Sequence, residues 1–287
     1  MRRHAVAMTQ PPDDKARPCL DLSGPALRHA FEAVVRGAEA LGGIERYVAA
    51  LRLKATVFAD ALGDGKAKRV ERDTLMGLCA FMATVRRRVA PFFAEDRFPL
   101  LQDALAALLD GAKDSAKTDT RLAAFCAAFP QDKAHRWVRD LAAEILHNLD
   151  PERYPLMCRW VWDAKANTGV LREIWHGEDV DRHTLDVADD YMTFLTLREE
   201  LSQFLTDNGV FRDVIFHVDL LCAQIYADYV CAQGGSYLRA DFSSPEDPMQ
   251  HVRRLLGLDG GKAKSARTRL KSIAGEAFVL GDIKLLG

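Results

Sequence analysis

The sequence lacks most of the features that mark an enzyme or a membrane protein at first reading. Its six cysteines, at 19, 79, 126, 158, 222 and 231, form no C-x-x-C pair. That spacing supports neither a zinc ribbon nor a disulfide framework, and it predicts a reduced, cytoplasmic protein. No stretch reaches the roughly 18 apolar residues of a membrane helix. The richest run, "FHVDLLCAQIYADYVCAQ", is interrupted by Asp219 and Asp228, so no membrane association is predicted. There is no Gly-rich phosphate loop, G-x-S-x-G elbow or H-E-x-x-H stretch. "GLDGGKAKS" lacks both the phosphate-loop spacing and a preceding strand, and no cofactor is expected. Charge of one sign is not in excess. The 39 Lys and Arg against 41 Asp and Glu leave a formal net charge of −2, which argues against a protein that coats nucleic acid with its whole surface.

What is present is a core-forming helical pattern. Of 287 residues, 48% are hydrophobic and 28% charged, enough for a sizeable core and too apolar for global disorder. "IERYVAALRLKATVFADAL" sets Ile44, Tyr47, Val48, Leu51, Phe58 and Leu62 on one stripe, with Ala55 in the gap. Ser23-Gly24-Pro25 starts the helix before it and Gly42-Gly43 ends that helix. Further helices are predicted over about 69–89, ending in "RRRVAP", and in "RFPLLQDALAALLDG", "RLAAFCAAF" and "DKAHRWVRDLAAEILHNL". "DDYMTFLTLREELSQFLTDNG" runs from an acidic cap to Asn208-Gly209. "VFRDVIFHVDLLCAQIYADYVCAQGG" is the longest, and "SSPEDPMQHVRRLLGLDGG" carries a serine cap and first-turn proline.

An all-α fold follows: an irregular multi-helix bundle of two packed helical parts with a short apolar C-terminal tail. Residues 1–22 read as a disordered leader, and 23–110 as the N-terminal helical part. Residues 111–120, "GAKDSAKTDT", have no large apolar side chain and read as a linker or long loop. Residues 121–257 form the C-terminal helical domain, and 258–287 a basic arm with an apolar tail.

The segment "EILHNLDPERYPLMCRWVWD", residues 144–163, is the densest in unusual features. Asp150-Pro151-Glu152 has the chemistry of a helix start, and Pro155 forces a turn soon after. All four tryptophans lie between Trp137 and Trp175. They form either an aromatic core around a corner, the reading favoured here, or a stacking surface in which Arg159, Trp160 and Trp162 bind a partner. "LDPERYP", then "YMTFLTLREELSQFLTDNG", then an apolar helix containing "HVDLL" resembles the C-terminal pattern of proteins related to helix-hairpin-helix DNA glycosylases, over about residues 146–221. The resemblance implies DNA binding or base processing, but without the family's hairpin upstream Asp219 is not assigned as a catalytic aspartate. The hairpin of that family is not found: "ANTGVL" has a single glycine. Residues 132–182 hold eight Lys and Arg against ten Asp and Glu, so no basic groove is expected from composition.

Glu144-x-x-His147 and Glu173-x-x-His176 repeat the spacing of di-iron carboxylate bundles. On a helical wheel, however, Val138, Leu141, Ala142, Ile145 and Leu149 make the apolar stripe of the first helix, and Glu144 and His147 fall opposite. Leu171, Ile174 and Trp175 likewise leave Glu173 and His176 facing away. Both pairs are predicted to be solvated polar faces, with a metal-dependent helical enzyme as an alternative. Asp213 and His217 suggest a helical ion pair, and Cys222 a small core residue. Arg86-Arg87-Arg88 complements a helix C-terminus. The second basic tract, Lys262, Lys264, Arg267, Arg269 and Lys271, suits an arm that contacts an anionic partner. The function expected is macromolecular interaction, of a regulatory kind, with a protein partner favoured over nucleic acid.

Overall fold

The structure, a computed structural model, describes residues 17–40, 42–177, 183–233 and 249–259. Among them are ten α-helices, four short 3-10 turns and no strand. The all-α expectation holds. The expected serine cap near 243, the basic tract Lys262, Lys264, Arg267, Arg269 and Lys271, and the apolar tail lie outside the described residues.

The local rules set most helix ends. Helix α1 (Gly24–Glu39) starts where the Ser23 hydroxyl accepts from the Ala26 N–H. It gives way at Gly42 and Gly43, both at a φ of 92°, where a side chain would be strained. Helix α2 (Ile44–Leu62) buries Tyr47, Val48, Leu51, Phe58 and Leu62 of the predicted stripe, leaves Ile44 half-buried, and also buries Lys54. Helix α4 (Phe98–Leu109) opens with Pro99, and α5 (Thr118–Ala127) follows a 3-10 turn over Ser115–Lys117. Helix α8 (Tyr191–Asp207) is capped by Asp190, whose carboxylate accepts from the Thr193 N–H at 3.0 Å, and ends at Asn208 as the sequence suggested.

Three local expectations are corrected. The helix predicted over 69–89 is only α3, Arg72–Ala80. Gly257, at a φ of 71°, presses its backbone on Phe81, so that a Cβ there would lie 1.8 Å from the Phe81 oxygen. With that carbonyl covered, the Val85 N–H turns to Met82 and the α-helical ladder stops. Asp150-Pro151-Glu152 does not start a helix. Asp150 instead closes α6 (Trp137–Leu149), and its carboxylate and carbonyl both accept from the Arg153 N–H in a single turn. Residues 17–22 do not belong to a disordered leader. Leu22 bridges to Trp175, and the His176 N–H donates to the Asp21 carbonyl at 2.8 Å.

Helix α6 is the centre of the molecule. It packs on α2 and α5 and touches α4, while α9 (Val214–Gln233) packs on α1, α2, α8, the short α7 (Val170–Glu173) and α10 (Gln250–Leu255). Buried residues from both sides of 111–120 join one hydrophobic core. Helix α9 is long and apolar enough by composition to cross a membrane, yet 56% of its apolar window is buried inside the fold. Packing in the core accounts for its composition.

Candidate functional site

The first feature to place is the central charge network. Glu144 and His147, predicted on a solvated face of α6, are instead 3% and 4% exposed. The wheel identified the apolar stripe, but α6 is covered on all sides, and neighbouring helices bring charges to meet its polar face. Lys54 of α2 donates to Glu144 Oε2 at 3.0 Å and to the Leu256 carbonyl at 2.9 Å. His147 Nδ1 lies 2.9 Å from the Tyr154 carbonyl, and Nε2 lies 3.0 Å from Asp219 Oδ2 on α9. Asn148 donates to the Glu144 carbonyl at 2.7 Å.

Burial pushes the Glu144 carboxyl up, and the Lys54 ammonium only partly offsets it. Burial pulls the His147 imidazole down, but the Asp219 carboxylate and the Tyr154 carbonyl outweigh that effect and leave it raised. A carboxylate–histidine pair inside a protein invites a catalytic reading. The geometry argues against it. A general base needs one ring nitrogen free for substrate, and both nitrogens of His147 are engaged. The void beside the pair, lined by Pro155, Phe194 and Cys222 among others, is about 20 Å3, room for roughly one water molecule. The nearby thiols of Cys79, Cys158 and Cys222 are held up by burial, away from the nucleophilic thiolate. Asp219 is 4% exposed and committed to His147.

The two Glu-x-x-His pairs do not meet as a set of four ligands. Glu144 and His147 are held by Lys54 and Asp219, whereas His176 is exposed and 3.5 Å from Asp21. Among the described residues no three His, Cys, Asp or Glu side chains are grouped to hold a metal. The Asp213–His217 pair is also corrected. The Asp213 carboxylate pairs with Arg52, and His217 Nδ1 faces the Asp213 carbonyl at 3.1 Å.

Trp137, Trp160 and Trp162 are buried, at 1%, 5% and 0% exposure. Trp162 donates its indole N–H to the Val187 carbonyl at 3.1 Å, and Trp160 packs against Tyr226. The tryptophans hold the corner together and offer no open stacking face, so Trp160 and Trp162 are not surface binding residues. Arg159 is different. Asp140, buried on α6, accepts from its backbone N–H at 3.0 Å and from its guanidinium at 2.8 Å, which fixes the side chain at the edge of an open groove.

That groove, of about 480 Å3, runs between the end of α5, the first turns of α6 and residues 159–165. Lys133, His135, Arg136, Arg139, Arg159 and Lys165 line it, with Asp132, Asp163 and Asp189 set among them. Arg136 pairs with Asp163, Arg139 with Asp189 and His135 with Asp132. Lys133 and Lys165 stand exposed at its rim. Sequence counting missed this site because, of the described acids between 132 and 182, only Asp132 and Asp163 line the groove, while Glu144 is internal and Asp150 pairs with Arg153. Only the fold sorts the cations to one side. Compared with known proteins, the chain matches no family model, no curated protein and no solved structure.

Proposed function

We propose that the protein acts by macromolecular interaction and that the groove beside Arg159 receives an acidic segment of a protein partner. The observation that carries this reading is the convergence of five Lys and Arg side chains on one open groove, in a chain whose net charge is −2. Three of these cations are already oriented by carboxylates, so the groove presents a fixed pattern of positions with surplus positive charge at Lys133 and Lys165. Interleaved acids repel a uniform polyanion but accept a peptide whose carboxylates fall between them. Single-stranded nucleic acid would also need exposed aromatic rings, and the tryptophans nearby are buried. The cytoplasmic assignment belongs to the same proposal. Its support is that all six cysteines are free thiols.

The test is fluorescence anisotropy with labelled decapeptides rich in Asp and Glu, against lysine-rich peptides and duplex and single-stranded oligonucleotides. Binding of acidic peptides, weakened about tenfold or more by Lys133→Glu with Lys165→Glu, is the expected result. Tight binding of duplex DNA with a steep salt dependence would replace this reading with the nucleic-acid one. Failure of every anionic probe would remove both.

A further inference from the structure

A second recess, of about 250 Å3, opens between the turn after α3, the C-terminal half of α9 and α10. Its volume lies just under the roughly 300–1,000 Å3 of drug-sized ligand sites, which limits it to a small molecule. Tyr226, Val230 and Leu255 give it an apolar side. Arg86, Arg87, His251 and Arg254 line it as well, and among the described residues no carboxylate does. The groove at α6 mixes both signs of charge, and this recess does not.

Buried polar atoms supply a second observation. Arg86, read from sequence as a helix-end cation that needs no partner, is 1% exposed. Its terminal nitrogens donate to the two Asp259 carboxylate oxygens at 2.8 and 3.2 Å. Its Nε–H has no hydrogen-bond partner, and neither has the buried Oγ1 of Thr84 on the same wall. Native interiors leave few such groups unmade, so two on one wall ask for a ligand that answers them. Arg87, His251 and Arg254 have contacts of their own within the protein, and they contribute positive potential more than vacant donors.

We infer that this recess binds a small amphipathic anion, a carboxylate or phosphate monoester with an aromatic or branched aliphatic body. The body packs on Tyr226, Val230 and Leu255. The head is drawn by the arginine wall and takes hydrogen bonds from Arg86 and Thr84. Isothermal titration of the full chain with phenylphosphate, benzoate, benzyl alcohol and benzylammonium tests this. At least one anion should bind about tenfold or more tightly than the alcohol, with the ammonium weakest, and the ratio of the two anions identifies the head group. Val230→Trp, which fills the recess, and Arg254→Glu should each reduce anion affinity about tenfold or more. Thr84→Val removes the unpaired hydroxyl at nearly constant volume and should leave folding intact while weakening the anion. Anions that bind no better than the alcohol, or that bind a folded Val230→Trp or Thr84→Val protein with wild-type affinity, overturn the proposal.

Discussion

His147 is fixed between two acceptors: Asp219 Oδ2 at 3.0 Å from Nε2 and the Tyr154 carbonyl at 2.9 Å from Nδ1. A carbonyl oxygen cannot donate, so Nδ1 carries a proton, and the carboxylate beside Nε2 favours a proton there as well. The pairing favours the imidazolium, and the pKa of His147 is raised because Asp219 and the Tyr154 carbonyl outweigh its burial. A group whose folded pKa is raised stabilises fully below its unfolded value, near 6.5 for histidine. That stabilisation is lost as pH climbs through the folded value. Glu144, also raised, acts in the same direction from its lower unfolded value upward. The unfolding free energy from urea titrations should fall between pH 6 and pH 9, by up to about 1.4 kcal/mol per pH unit while the imidazolium titrates, and the midpoint with it. His147→Gln should be less stable at pH 6 and should flatten that decline. A midpoint that rises toward pH 9 in the wild type would contradict the assignment.

Lys54 and Glu144 form a second ion pair beside the first, with side chains each 4% exposed. Removing one charge leaves the other buried without compensation, so Lys54→Met should cost about 3–5 kcal/mol. Replacing the pair by Met and Leu should recover most of that loss, because the desolvation penalty disappears with both charges. Urea unfolding of the two single variants and the double variant closes the cycle. A double variant no more stable than Lys54→Met would show that the pair's value lies in geometry, through the Leu256 carbonyl, rather than in charge.

Helix content and several helix ends were legible in the sequence because they depend on near neighbours: Ser23 and Asp190 as caps, glycines 42 and 43 as a stop. The network was not. Glu144 and Lys54 are 90 positions apart, and His147 and Asp219 are 72 apart. Periodicity along α6 reports which face is most apolar, not whether another helix will bring a counter-charge to the opposite face. A usable signal did exist. Lys54 shares the register of Leu51 and Phe58, and Asp219 interrupts an otherwise apolar helix. Charges of opposite sign within core stripes of different helices point to partners for one another. Asp259 carries the same lesson. It lies beyond the boundary placed at 257, yet it pairs with Arg86 inside the body of the protein.

The aromatic corner should be essential to the fold. Trp160 is buried and its ring centroid is 5.7 Å from that of Tyr226 on α9. Trp160→Ala should cost about 3–5 kcal/mol, as expected of a large aromatic truncated in a packed core. Trp160→Phe, which keeps a ring against Tyr226, should cost clearly less. Equal, small effects of both substitutions would mean that the indole is peripheral and would reopen the corner as a binding surface.

Two glycines separate backbone strain from packing. Gly65 and Gly257 adopt nearly the same left-handed conformation, with φ of 76° and 71°. At Gly65 an added Cβ meets nothing within 4 Å, so Gly65→Ala pays only the cost of the unfavourable backbone, about 1–2 kcal/mol. At Gly257 the same Cβ would lie 1.8 Å from the Phe81 oxygen and 2.4 Å from its carbonyl carbon. Backbone on both sides cannot yield as a flexible side chain would, so α10 must lift away from the turn after α3. That movement would strain the Lys54 bond to the Leu256 carbonyl and the Arg86 pairing with Asp259, both within two residues of Gly257. Gly257→Ala should therefore cost at least about 2 kcal/mol more than Gly65→Ala in urea unfolding, in the range of severe core substitutions. It should also raise hydrogen exchange in α10 and around Arg86 while α5 and α8 keep their protection. Equal destabilisation by the two substitutions would show that α10 is not seated on Phe81 as described.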